Sequence, residues 1–236
     1  MSSRNAAELS LGHFVHPSEG VHPGIVVIHD VWGLQDHYRD VAGRFADAGF
    51  AALAVNLYRR EAELKISDPG RWIRALDDGR VLADVQAAID FLSGHDAVGG
   101  KPVGVVGFCM GGMYAMLAAV SCRDLAAAVP FYGMLSDAHG LLAPQPGEPR
   151  KPNVPLDVAH SLRCPTLAFF GEDDAFIPLA DVRAFEAKLS DEHRVVVYAG
   201  AGHAFLNDTR AEMYRPEAAR DAWEQTLAWL RHHLGT

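Results

Sequence analysis

Uninterrupted apolar runs recur along the chain at Gly24-Ile-Val-Val-Ile28, Ala51-Ala-Leu-Ala-Val-Asn56, Val103-Gly-Val-Val106, Ala126-Ala-Ala-Val-Pro-Phe-Tyr132, Pro165-Thr-Leu-Ala-Phe-Phe-Gly171 and Val195-Val-Val-Tyr198. Runs this short, rich in β-branched and aromatic residues, predict strands buried on both faces. Between them the apolar positions shift to helical spacing. Gln35 to Ala48 carries Val41, Phe45 and Ala48 on one face and is stopped by Gly49, and Leu76 to Leu92 presents Val81, Val85, Ala88, Ile89 and Leu92. Gly112 to Val120, Val182 to Leu189 and Ala218 to Leu230 read as further helices. A weaker alternation over Glu8 to Val15 predicts one early antiparallel strand before the turn at His16-Pro-Ser-Glu-Gly20. Strands alternating with helices specify an α/β fold, a mainly parallel sheet with helices on both faces. With no repeat and no linker, the 236 residues are expected to form a single domain, 1–236. Leu141 to Val154 is too rich in proline for a regular element and is read as a surface loop or a lid.

Charge and composition narrow the class. A formal net charge of −9 argues against nucleic acid, whose binders concentrate Lys and Arg on one face. The pair Arg59-Arg60 reads as a solvated loop. No apolar run approaches the ~20 residues of a membrane span, and the first residues show no basic-then-apolar signal segment. The expectation is a cytoplasmic protein without membrane or nucleic-acid partners, a monomer or small homo-oligomer. Three cysteines offer no disulfide framework, and Cys122 and Cys164 read as packing residues. His13 and His16 stand among turn residues without a cysteine or carboxylate at ligand spacing, so no metal and no cofactor is expected.

One motif carries chemistry. Val103 to Val106 leads straight into Gly107-Phe-Cys109-Met-Gly111-Gly112. A buried strand that breaks into Gly-x-nucleophile-x-Gly and continues as a helix is the nucleophile elbow of the α/β-hydrolases. A cysteine among apolar residues can equally be an inert buried hydrophobe. What favours a reactive thiol is the order of groups downstream, because this fold delivers nucleophile, acid and histidine in that sequence. Glu172, Asp173 and Asp174 follow the strand ending at Gly171, and His203 follows the strand ending at Tyr198 in a glycine-rich loop.

With these pieces placed, the sequence resembles the dienelactone hydrolase, or carboxymethylenebutenolidase, family. The likeness runs through Ile28-His-Asp-Val-Trp-Gly-Leu34, Asn56-Leu-Tyr58, Asp84-Val-Gln-Ala-Ala-Ile89, the cysteine elbow, Tyr132-Gly133, Gly171-Glu-Asp-Asp174 to Pro178, and Ala201-Gly-His-Ala-Phe205. The resemblance implies hydrolysis of a small carboxylic ester or lactone, with Cys109 as nucleophile, His203 as base and Asp174, four residues before Pro178, orienting that base. An oxyanion would be received by the backbone N–H of Met110 and, from the loop after the first buried strand, that of Val31. Trp32 lies in the same loop. Two positions depart from the family. Asp30 stands where the family has a glutamate that meets the resting thiol, and reads either as a shorter version of it or as a loop cap. Asn207 stands where an arginine binds the substrate carboxylate. Arg71 and Arg74 are candidate substitutes for that arginine, or solvated side chains. Besides a hydrolase of small esters or lactones, two readings remain: an esterase or thioesterase for neutral acyl substrates, and a binding or regulatory protein on a hydrolase scaffold.

Overall fold

The computed structural model describes residues 3–148 and 150–235. Eight strands form one sheet: β1 (Arg4–Leu9), β2 (Gly12–Pro17), β3 (Gly24–Ile28), β4 (Ala51–Val55), β5 (Val103–Phe108), β6 (Leu125–Phe131), β7 (Leu167–Gly171) and β8 (Arg194–Tyr198). Their order is β1-β2-β4-β3-β5-β6-β7-β8. The first two pairings in that order are antiparallel and all later ones parallel. Every residue of β3, β4, β5 and β7 is buried. The continuous apolar runs predicted this, since a strand covered on both sides has no polar face.

The helices are α1 (Asp36–Asp47), α2 (Pro69–Ala75), α3 (Asp78–Gly94), α4 (Met110–Ser121), α5 (Pro155–Val158), α6 (Leu179–Glu186) and α7 (Pro216–Leu234). The expected early strand over 8–15 is instead a hairpin. Leu9 pairs with Gly12 across the turn, and all but the last residue of β1 is exposed. An exposed ribbon has no apolar alternation to reveal it, whereas Phe14 and Val15 of β2 are buried. The helix expected over Leu76 to Leu92 is α3, which starts at Asp78, where Asp77 caps the N–H of Arg80, and α2 just before it is an addition to the expected elements. Asp68 caps α2 in the same way at Arg71.

Among its described residues the proline-rich stretch is irregular after a short 3₁₀ turn at Gly140–Leu142, as its composition requires, but it is anchored to the body. Lys151 is 4 % exposed. Its Nζ lies 2.6 Å from Asp78 Oδ1 and donates to the carbonyls of Ile73 (3.0 Å) and Leu76 (2.7 Å), with the Tyr114 hydroxyl at 3.0 Å. Asn153 Nδ2 donates to the other oxygen of Asp78. Burial holds the Lys151 ammonium below its ordinary pKa, and Asp78 opposes that shift. Removing one partner of a buried ion pair strands the other. Lys151→Ala is therefore expected to lower unfolding stability by about 3–5 kcal/mol, read from the urea midpoint.

Candidate active site

The site lies where the parallel strands end, the edge at which open α/β sheets bind ligands. At the end of β5 the chain turns within one residue into α4, with Cys109 at φ 55° and ψ −116°. That left-handed backbone is costly for a residue with a side chain and needs close surroundings to hold it. The glycines supply them. A Cβ on Gly107 would lie 2.0 Å from the Gly111 carbonyl oxygen, and one on Gly111 would lie 2.3 Å from that of Ile28. Cys109 N–H donates to the Phe131 carbonyl at 3.1 Å, tying the bend to β6.

Asp174 follows β7 and His203 follows β8. Asp174 Oδ2 accepts the His203 Nδ1–H at 2.8 Å while its Oδ1 accepts the backbone N–H of Phe176 at 2.9 Å. The Asp174 side chain is fully buried, whereas Glu172 and Asp173 are exposed. The His203 ring sits between two aromatic rings, Tyr132 and Phe176, each 5.2 Å away in edge contact. Its Nε2 is buried without a hydrogen-bond partner among the described residues. Burial opposes a charge on His203. Negative charge on Cys109, together with Asp174, outweighs that effect and pushes the imidazole up to about 10.

Cys109, His203, Asp30, Val31, Trp32 and Asn207 share a cavity of about 160 Å³, closed by Pro69, Leu141, Phe176 and Met213. Among the described residues, neither Val31 N–H nor Met110 N–H, the latter at the start of α4, has a hydrogen-bond acceptor. Burial raises the Asp30 carboxyl above its usual range, and the Trp32 N–H and Arg210 pull against that rise. Oδ1 of Asp30 accepts the Trp32 N–H at 2.9 Å, and Oδ2 lies 3.6 Å from Arg210 Nη2.

The structure does not bring Arg71 and Arg74 into this cavity. They line a separate surface hollow with Gly147 and Glu148. There Arg74 pairs with Glu148 and donates to the Leu141 carbonyl. The cation that does line the cavity is Arg210, which sequence reasoning missed. Its signal lay three residues beyond Asn207. Asn207 Oδ1 accepts both the N–H (3.0 Å) and the hydroxyl (2.6 Å) of Thr209, and Arg210 N–H donates to the Asn207 carbonyl. This turn carries Arg210 to the cavity, so Asn207 shapes the wall that Arg210 completes.

A strained elbow at the sheet's carboxyl edge, followed in chain order by an acid and a histidine, makes the molecule an α/β-hydrolase. The dienelactone hydrolase family model matches residues 12–234, and the chain belongs to that family. It is an ester- or lactone-hydrolase of that kind. A Bradyrhizobium protein assigned as a probable 2-oxo-3-(5-oxofuran-2-ylidene)propanoate lactonase is 36% identical over 218 residues, covering 90% of this chain and 84% of that protein. A Yersinia pestis protein assigned as a carboxymethylenebutenolidase is 32% identical over 224 residues, covering 91% and 79%. A crystal structure assigned as a dienelactone hydrolase of Klebsiella pneumoniae superposes with a TM-score of 0.84 at 29% identity, covering 96% of this chain and 98% of that one. Among the described residues no helix is long and apolar enough to cross a membrane.

Proposed function

We propose that the protein hydrolyses small lactones or esters through a Cys109–His203–Asp174 triad. The observation that carries this is the His203 ring, bonded at Nδ1 to Asp174 and holding an unpartnered Nε2 in the cavity it shares with Cys109. Cys109 Sγ attacks the carbonyl carbon, and the carbonyl electron pair moves onto oxygen, facing the N–H groups of Val31 and Met110. When the tetrahedral species collapses, the C–O bond breaks and the leaving oxygen takes the Nε2 proton of the His203 imidazolium. His203, now neutral, takes a proton from water as that water attacks the thioester. Cys109 leaves as thiolate, regenerating the ion pair, and the carboxylic acid product loses its proton to solvent.

The cavity suits a small substrate, since about 160 Å³ compares with the ~150 Å³ void that takes up a benzene molecule. Arg210 gives it a cation for a carboxylate, and the Bradyrhizobium relative's name describes a propanoate. We take the substrate to be a small anionic lactone rather than a neutral acyl group. The test compares an anionic furanone lactone with its methyl ester and examines acid-quenched protein by mass spectrometry. Faster turnover of the anion and an acyl mass on the Cys109 peptide are expected. A preference for the neutral ester would refute the substrate class, and turnover with an adduct elsewhere would refute the nucleophile.

A further inference from the structure

Tyr58 lies outside the cavity, yet its hydroxyl reaches both segments that would receive the oxyanion. The hydroxyl donates to the Val31 carbonyl at 3.1 Å and lies 3.2 Å from Met110 Sδ. Tyr58 is 5 % exposed, and its ring packs edge-on against Trp72 at 5.7 Å. A Cβ on Gly33, at φ +89°, would sit 3.3 Å from that ring, so the phenol also backs the bend after β3. Burial raises the phenol's pKa, which keeps its proton in place at working pH.

A second strut runs alongside. His29, fully buried, takes the Leu57 N–H at Nε2 (3.2 Å), which makes Nδ1 the protonated nitrogen, 2.6 Å from the Asp30 carbonyl that it donates to. Burial lowers its pKa to about 4 and holds it in this neutral tautomer. Residues 56–58 after β4 therefore brace residues 29–33 after β3. Tyr58 is the member of that brace that also touches the elbow helix. None of these atoms lines the cavity apart from those of Asp30 and Val31.

We propose that Tyr58 is a positioning residue for the oxyanion site, its one hydroxyl setting the separation between the Val31 peptide and the start of the elbow helix at Met110. The proposal rests on the triad reading, because an oxyanion forms only if Cys109 attacks a carbonyl. Oxyanion donors work by being fixed before the charge develops, so a displaced donor loses rate without losing substrate binding.

The test uses the full chain and two reactions of the same thiol. In acylation by p-nitrophenyl acetate the carbonyl oxygen gains charge. In alkylation by iodoacetamide the Cys109 thiolate displaces iodide at a saturated carbon, and no oxyanion forms. Tyr58→Phe is expected to lower kcat for the ester about tenfold with KM little changed, and to leave the alkylation rate within about twofold. Equal losses in both reactions, as a general loosening of the site would give, overturn the proposal, and so does no loss in either. Should Tyr58→Phe fail to fold, Met110→Leu removes the other contact of the hydroxyl. Ester kcat then falls about threefold with alkylation unchanged, and an unaltered ratio of the two rates overturns the proposal. Failure of the triad itself is a separate result, since it would show as ester turnover that survives Cys109→Ala.

Discussion

Cys109→Ala is expected to lower kcat for an activated short-chain ester by about 10⁴-fold or more, while the protein stays folded and KM changes little. Cys109 is 6 % exposed and its thiol contributes little packing volume, so its loss leaves the elbow standing on its glycines. What disappears is the covalent route. Without sulfur the remaining groups can only polarise the carbonyl and assist water, and the residual rate measures that contribution. The same variant should lower the pKa of His203, because the thiolate is the largest influence raising it against burial. Titration of the His203 ring by NMR reads this directly. An imidazole still titrating near 10 in Cys109→Ala would mean that the two side chains do not form an ion pair.

The sheet was legible because burial on both faces leaves a distinctive trace. Each of the six apolar runs became a strand within two residues of its expected limits, from β3 at 24–28 to β8 at 194–198. The residues at the elbow and after β7 and β8 were legible for a different reason, since their order along the chain follows from the fold. β1 and α2 were not legible. An exposed edge ribbon carries no apolar period, and a helix of 7 residues that buries only Gly70 and Ile73 is too short to show one. Arg210 was missed for a geometric reason. Spacing along the chain placed the cation nearer His203, whereas the Asn207–Thr209 turn folds three further residues back to the cavity. Arg71 and Arg74 were plausible from position alone, and Glu148, distant in sequence, is what holds Arg74 elsewhere. The part played by Tyr58 was also hidden, because it depends on the end of β4 lying beside that of β3.

Asp174→Asn tests the other end of the site with almost no change in shape. The native carboxylate accepts twice, from His203 Nδ1–H and from Phe176 N–H. An amide has one oxygen and one NH₂ group. If its oxygen keeps Phe176, the NH₂ faces His203 Nδ1, which must then accept, so the ring proton moves to Nε2. That nitrogen can no longer take a proton from water. If instead the oxygen keeps His203, the NH₂ opposes the Phe176 N–H and two donors meet in a fully buried space. The first arrangement costs less, so kcat is expected to fall about 10³-fold, or ~4 kcal/mol of barrier, with KM nearly unchanged. Stability should respond as well. A histidine raised from 6.5 to about 10 stabilises the fold fully below pH 6.5, and that stabilisation is lost as pH rises through about 10. Without the Asp174 charge His203 titrates at a lower pH, so the variant has less of this stabilisation and has lost all of it at a lower pH. Unfolding midpoints measured from pH 6 to 10 should therefore diverge most between the two proteins near the acid end and converge toward pH 10. A constant difference across that range would show that Asp174 stabilises the fold independently of the charge on His203.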